Sequence, residues 1–419
     1  MTVTPAAAIL IGLAAVAAFA LAPWLGIVLL LVTVALALVD ALSVRRPPRV
    51  ERRIQHVLAR GVPAPLEVDV EPEEADAARR VVVRQPALPD VRLAPARADG
   101  ARLRSSVTVR RRGRHLLPPP AVRTTGPLAL GAWTHSGGEP AELLVYPDIT
   151  EADRLARAVR QARFRDAGER RRGPLGLGTE FESIRDYLPD DDVRQVNWRA
   201  TARVGRPMSN QYRVEQDRDV ICLVDAGRLM GAPLGELTRL DAALDALVAV
   251  AAVADVMNDR TGAIAFDAEL LRSVAPRRRG ARAIVRSIFD LEPSQRESDY
   301  ELAFRAVEGS KRAFVLVLTD LLEPVAAQPL VSAMPILGRR HSVVVASARD
   351  TDLDALLRRT PRDVADVAAA SVAADVLEAR RLVAARLRRA GAQVVEAAPA
   401  SLAVACVGAY LRSKARAAF

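Results

Sequence analysis

Between Pro5 and Asp40 the chain carries no charged residue. Half of the 419 residues are hydrophobic but only 4% are aromatic, so part of the apolar share belongs outside an ordinary core, and positions 6 to 42 take it. The run is too long for one straight membrane span of about 20 residues and fits two shorter ones. It reads as a helical hairpin with spans Ala6–Leu21 and Ile27–Val39, turned by Pro23, Trp24 and Gly26, with Trp24 at a membrane interface. Both spans are short, which calls for local thinning of the bilayer. The rival reading is a cleaved signal peptide, because Ala20-Leu21-Ala22 resembles a cleavage site. Against it, no Lys or Arg precedes the apolar run and a second one follows at once. Arg45, Arg46, Arg49, Arg52 and Arg53 come next. By the positive-inside rule they leave the rest of the chain in the cytoplasm, and they are placed to touch anionic headgroups.

A chain of this length is expected to hold two soluble domains besides the hairpin. Basic residues exceed acidic ones by ten, and the arginines are interleaved with Asp and Glu, which argues against a nucleic-acid-binding block. Cys222 and Cys406 lie in separate apolar runs with no metal-ligand spacing, as buried free thiols do. Between 45 and 150, alternating runs at Leu66–Val70, Arg80–Arg84, Ser106–Arg111 and Leu143–Tyr146 are separated by Pro, Gly and Asp. This pattern predicts short strands in a small all-β sandwich of immunoglobulin or fibronectin type. His115 and His135 read as single surface histidines, and no nucleophile and base stand together here. Residues 151–177 read as a helical connector broken at Gly173-Pro174.

The stretch Gly178 to Gly205, GTEFESIRDYLPDDDVRQVNWRATARVG, crowds carboxylates, arginines and a tryptophan into a short span. Thr179 and Glu182 have capping-box spacing, Phe181, Ile184 and Leu188 give a helical stripe, and Pro189 stops it. Asp191 or Asp192 then caps a second short helix, with Val193, Val196 and Ala200 inward and Gly205 ending it. Two readings stand: a solvated ion-paired face around a buried Trp198, or a docking surface.

Gly178, Glu180, Phe181, Arg185, Tyr187, Pro189, Asp191, Asp192, Arg194, Trp198, Ala202 and Arg203 sit on the pattern G-x-E-F-x-x-x-R-x-Y-x-P-G-D-D-x-R-x-I-D-W-x-x-x-A-R. This resembles the signature of the bacterial family catalogued as domain of unknown function 58. Asp190 replaces the family's Gly and Asn197 its Asp. The resemblance implies a membrane-anchored protein working beside a MoxR-type AAA+ ATPase, with a transglutaminase-like membrane protein as a further partner. The partner-binding residues it points to are Glu180, Arg185, Tyr187, Asp191, Asp192, Arg194, Trp198 and Arg203.

Beyond the signature, predicted strands at Val220–Val224, Ala263–Phe266, Phe314–Leu318, Ser342–Ala346 and Gln393–Val395 alternate with predicted helices. The helices are Thr238–Met257, Ala281–Phe289, Tyr300–Val307, Ala373–Arg389 and Leu402–Lys414. A mostly parallel, doubly wound sheet follows. Asp225 ends its first strand and Thr319-Asp320 a later one, an order similar to the Rossmann-like von Willebrand factor type A domain. That resemblance implies a Mg²⁺ site, which needs hard oxygen ligands. Its usual D-x-S-x-S loop is here Asp225-Ala226-Gly227-Arg228-Leu229, without the serines, which leaves Asp225, Ser298 and Asp320 as a degenerate set. Arg277-Arg278-Arg279-Gly280 forms a basic turn, and His341 opens an apolar strand as a structural residue.

The organisation expected is therefore a hairpin (1–44), a sandwich (45–150), a connector (151–177) and an α/β domain opened by the signature (178–419). The function expected is that of a cytoplasmic adaptor at the membrane rather than an enzyme, with no cofactor. The rival is a Mg²⁺-dependent binding protein or hydrolase using the rim of the type A-like domain.

Overall fold

A computed structural model describes residues 2–20, 22–71, 80–169, 175–188, 193, 196–213, 219–309, 312–321, 325 and 327–416. They fall into two compact units, Met1–Tyr146 and Pro147–Phe419.

The first unit opens with a two-residue strand β1 (Thr2–Val3) and two helices, α1 (Pro5–Ala20) and α2 (Pro23–Ser43). The turn between the helices is tighter than the sequence implies. Pro23 is the first residue of α2, where its missing N–H costs nothing, so Trp24 and Gly26 belong to the first turn of that helix. The helices touch closely at Gly26, where any Cβ would overlap Ala18. Their outer surfaces are apolar and exposed, from Ile9, Leu13 and Phe19 on α1 to Ile27, Leu31, Val39 and Leu42 on α2.

Eleven further strands follow among the described residues: β2 (Val50–Ile54), β3 (Val57–Ala59), β4 (Ala64–Val70), β5 (Arg80–Arg84), β6 (Val91–Ala94), β7 (Arg97–Asp99), β8 (Arg102–Val109), β9 (Gly113–Leu117), β10 (Ala121–Thr125), β11 (Gly131–Ser136) and β12 (Ala141–Tyr146). They form sheets ordered β1-β11-β10-β5-β7, β2-β4-β8-β6 and β3-β12-β9. Alternation decides what each face does. Leu66, Val68 and Val70 of β4, Val81 and Val83 of β5, Leu103 and Val107 of β8 and Val122 of β10 point into one shared apolar core.

The helical hairpin is fastened to the first of these sheets. Asp40, almost at the end of α2, is 2% exposed, and its two carboxylate oxygens accept the backbone N–H groups of Leu128, Leu130 and Gly131 at 2.8, 2.8 and 2.9 Å. A Cβ on Gly131 would overlap the Ala37 carbonyl, so that glycine permits the close approach of α2. β1 adds to the edge of β11, pairing Thr2 with Ala132 and Val3 with Gly131. His135, expected at the surface, is buried instead, with Nε2 3.0 Å from the Val44 carbonyl oxygen. Arg52 is likewise occupied, donating to the carbonyls of Pro118 and Glu139 at 2.7 Å each, so it is not available to a headgroup.

The second unit begins with α3 (Ile149–Glu169), the expected connector, which packs along α5 (Arg239–Val256) and is anchored by Asp148 N–H donating to Asp245 at 2.9 Å. Next come β13 (Leu175–Asp186), α4 (Trp198–Val204) and β14 (Met208–Arg213). The main sheet holds β15 (Asp219–Asp225), β18 (Arg260–Phe266), β19 (Leu270–Arg278), β20 (Ala313–Leu318), β21 (Ser342–Ala348) and β22 (Gln393–Ala397). A short hairpin, β16 (Pro233–Leu234) with β17 (Leu237–Thr238), leads into α5. The remaining helices are α6 (Ala281–Ile288), α7 (Tyr300–Glu308), α8 (Gln328–Arg340), α9 (Thr351–Arg358), α10 (Val364–Arg389) and α11 (Pro399–Arg416).

The sheet order is β19-β18-β15-β20-β21-β22, parallel except for the antiparallel edge strand β19. The central strands are buried along nearly their whole length, as a sheet covered on both faces requires. The five strands expected from the sequence are all present; β19 and helices α8 and α9 are additions. Cys222 and Cys406 are buried free thiols, both pushed up to about 12 by desolvation. His341 is structural as expected, its Nδ1 accepting Ala313 N–H at 3.2 Å.

Replacing Asp40 by Ala strands three backbone donors and should cost about 1–3 kcal/mol. Thermal unfolding and limited proteolysis of the full chain in detergent should show a lower midpoint and new cleavage between 126 and 131. An unchanged midpoint and digest would mean that the clamp contributes nothing.

Candidate functional site

The signature folds as an antiparallel ribbon, β13 against β14, with α4 in the excursion between them. The helix expected over Phe181, Ile184 and Leu188 is not formed, and neither is its Thr179–Glu182 cap. A bulge between Phe181 and Ser183 resets the strand's alternation, which yields a three-residue apolar spacing without a helix. The second expected helix is present but starts later. Asn197, not Asp191 or Asp192, is its N-cap, with the side-chain oxygen accepting Ala200 N–H at 3.0 Å, while Gly205 ends it at φ 72° as expected. Asn197 also donates to Asn210 at 2.8 Å, and Thr201 accepts Met208 N–H at 3.0 Å, so the helix is pinned across the ribbon end.

Of the expected partner-binding residues, Glu180 lies on β13 in register with Arg213. Arg185 is half-buried and donates to the Asp186 carbonyl; Tyr187 is half-buried, with its N–H on Pro207. Asp191, Asp192 and Arg194 lie outside the described residues. Trp198 is not the buried ring of the solvated-face reading. It is 70% exposed, and Leu188, Val193 and Val204 around the same excursion are also exposed, which overturns the inward placing of Val193. Arg199 and Arg203, one helical turn apart, are both exposed, while Arg206 pairs with Asp186 at 3.2 Å.

The main sheet creates a second place of interest. β15 is flanked by β18 on one side and β20 on the other, so the strand order reverses there, and ligands of such sheets sit at the carboxyl ends of strands at this point. Asp225 closes β15, and Thr319 and Asp320 directly follow β20. Asp225 Oδ1 accepts Gly227 N–H at 2.8 Å and Ser298 Oγ–H at 2.5 Å; its Oδ2 accepts Tyr300 O–H at 2.9 Å and Thr319 Oγ1–H at 2.6 Å. These four donors fill the four acceptor directions of the carboxylate. Burial, with the Asp225 charge next, holds the Tyr300 phenol well above its ordinary value, so it stays a donor.

Asp320 faces away into a different arrangement. Its Oδ1 accepts from Arg239 on α5 at 2.9 Å and from Arg380 on α10 at 2.8 Å, and also from Leu321 N–H at 2.9 Å. All three charged side chains are at most 5% exposed. Desolvation lowers the Arg239 pKa, partly offset by Asp320. Asp225 and Ser298 are thus brought together, and Asp320 stands next to them in the chain fold but is neutralised by two guanidiniums. A divalent cation does not fit this set: one carboxylate has no lone pair left, and the other already has two positive partners. Arg239, Arg380 and Tyr300 were not foreseen at this site, and Thr319 was visible only as part of a strand end. Their only sequence signal was position, with Arg239 in the first turn of the expected helix Thr238–Met257 and Thr319 beside Asp320.

The basic turn at Arg277–Arg279 borders a hollow of about 470 Å³ with Arg282 and Arg286. The N-terminus of α6 above it is already served, since Asp255 accepts Ala281 N–H at 3.3 Å.

The architecture is that of a doubly wound α/β unit preceded by a ribbon-and-helix insertion. Residues 183–358, which run from the signature into α9, match the model of the family described as "Protein of unknown function DUF58", in agreement with the resemblance carried by the signature. Uncharacterized proteins of Mycobacterium bovis and of two strains of Mycobacterium tuberculosis are 27% identical to this chain over 191 residues. The match covers 42% of this chain and 58% of the length of those relatives.

Removing the Asp320 carboxylate leaves the buried Arg380 guanidinium without its counter-charge and Arg239 with only Asp350, 3.9 Å away. Asp320→Ala should therefore destabilise the full chain by about 3–5 kcal/mol in urea unfolding. A loss below about 1 kcal/mol would show that the triad is not a structural tie.

Proposed function

We propose that this protein is a membrane-anchored cytoplasmic adaptor whose signature segment docks a protein partner. The observation that carries the reading is Trp198, exposed over 70% of its surface at the start of a pinned helix and accompanied by exposed Leu188, Val193 and Val204. A large aromatic held in water by a well-satisfied local fold is costly unless a partner covers it, and Trp and Arg dominate the centres of protein interfaces. Arg199 and Arg203 on the same helix direct the choice toward an acidic partner. The family resemblance supplies the candidate, a MoxR-type AAA+ ATPase, with a transglutaminase-like membrane protein as a second. The sheet order with one antiparallel edge agrees with a von Willebrand factor type A-like domain. Its rim, closed by hydroxyls and guanidiniums, acts as scaffold and not as a metal-dependent hydrolase.

The anchor is the hairpin. Among the described residues α2 alone has the length and hydropathy of a membrane span, and α1 is a shorter apolar helix. At 1.5 Å per residue the two reach about 24 and 32 Å against a hydrocarbon core of about 30 Å, so α1 draws the bilayer inward. β1, just before the hairpin, and Asp40, near the end of its second helix, both hold on to the β11 end of one sheet, which supports two crossings with both ends on one face of the membrane.

Two measurements test this reading. Trp198→Ala combined with Arg203→Glu should reduce recovery of the ATPase from native membranes at least about tenfold, with little change in melting because both residues are exposed. Undiminished recovery sinks the docking surface. Reporter fusions after Arg53 and at Phe419 should both read cytoplasm, and a periplasmic signal at either breaks the hairpin topology.

A further inference from the structure

The outer face of the first sheet carries a cavity of about 780 Å³ whose walls include Arg80 and Arg84 of β5, Arg97 of β7 and Arg123 of β10, and whose rim is formed by Thr4 and Pro5 at the foot of α1. The placement follows from register. Val81, Val83 and Val122 point into the core, so Arg80, Arg84 and Arg123 alternate to the outer face. Arg84 stands directly opposite Arg97, and Arg123 opposite Val82, between the two arginines of β5. Like charges paired across strands are destabilising unless something negative lies between them. The sheet supplies one carboxylate, Asp99, which pairs with Arg80 at 2.8 Å and Arg97 at 3.1 Å. Neither Arg84 nor Arg123 has a carboxylate partner among the described residues, and Arg123 Nε is buried with no hydrogen-bond acceptor.

We propose that this cavity binds the phosphate of an anionic phospholipid headgroup. The chemistry is that of a phosphodiester, for which arginine forks are the matching donors. The source is assigned by position: the rim is the first turn of an apolar helix whose outer surface is exposed from Ile9 onward, so the cavity opens where the hairpin leaves the protein body, at headgroup depth. Its volume is within the range of small-molecule pockets and takes a glycerophosphate group. The inference rests on the membrane anchoring proposed above.

The test uses the full chain in a neutral detergent, its melting followed against added phosphatidylglycerol, phosphatidylcholine, glycerol phosphate and inorganic phosphate. Phosphatidylglycerol should raise the melting temperature in a concentration-dependent way and phosphatidylcholine should not. Arg84→Gln with Arg123→Gln should weaken the response at least about tenfold, because two charge-assisted contacts are lost. Asp99→Asn frees Arg80 and Arg97 and should tighten the response, which keeps the test decisive if the double variant folds poorly. Equal responses to the two lipids, or an unchanged response in both variants, overturn the proposal. A response to inorganic phosphate as large as that to phosphatidylglycerol overturns it as well, by making the cavity a free-phosphate site. Alkaline carbonate extraction of native membranes separates the two readings. A chain that stays in the membrane yet ignores phosphatidylglycerol loses the lipid site and keeps the anchor, whereas a chain that washes out loses both.

Discussion

A carboxylate withdrawn from water must be met by donors or by positive charge, and the tertiary arrangement of both units is organised around places where that demand is met. Asp40 is met by three backbone N–H groups of one turn, which ties a helix to a sheet. Asp225 takes one N–H and three hydroxyls, drawing the segment 298–300 and the end of β20 to the end of β15. Asp259 receives Tyr410 and, at 2.6 Å, Lys414, which fastens α11 beside the start of β18. Asp320 takes the remaining solution, two guanidiniums from helices 141 residues apart in the chain, Arg239 and Arg380. At Asp225 the solution uses up the acceptor capacity of the group it serves, and at Asp320 it sets two positive charges on Oδ1 while Oδ2 stays buried without a hydrogen-bond partner. That is why a sheet whose strand ends present two aspartates side by side at the switch point does not thereby acquire a cation site.

The parts of this arrangement legible in the sequence are those dictated by burial over a short span. Strands such as Val220–Val224 and Phe314–Leu318 are unbroken apolar runs bounded by polar residues, and the sheet buries both of their faces, so pattern and outcome agree. The antiparallel edge β19 escaped notice because Arg272, Arg277 and Arg278 fill its exposed positions and leave no apolar alternation. In the signature, the bulge at Phe181–Ser183 makes a strand imitate a helix. The pairing that decides the matter lies about 30 residues on, in Ser209 to Arg213, where no local rule reaches. For the site, Asp225 and Asp320 were visible as strand ends. Arg239 and Arg380 were not, since in a chain so rich in arginine nothing local marks the two that are buried.

The two units differ in the kind of surface each exposes. In the first, apolar side chains on α1 and α2 and an arginine-lined face beside them suit a bilayer and its headgroups. In the second, the largest aromatic exposure among the described residues falls on an insertion that precedes the main sheet and is pinned by side-chain hydrogen bonds at Asn197 and Thr201. An element held in that way can lose or gain a partner without disturbing the core of the sheet it adjoins.

Residues 2 and 3 have a consequence for the order of assembly. They form the outermost strand of the sheet that also receives Asp40, so the first sheet has one border supplied from before the hairpin and its anchor point supplied from the far end of the hairpin's second helix. The strand β11 therefore stays open-edged, with unpaired N–H and C=O groups, until the apolar helices have been placed and their two ends lie together. Placing the hairpin becomes the step that licenses closure of the sheet, and a chain whose hairpin has not formed carries an open strand edge.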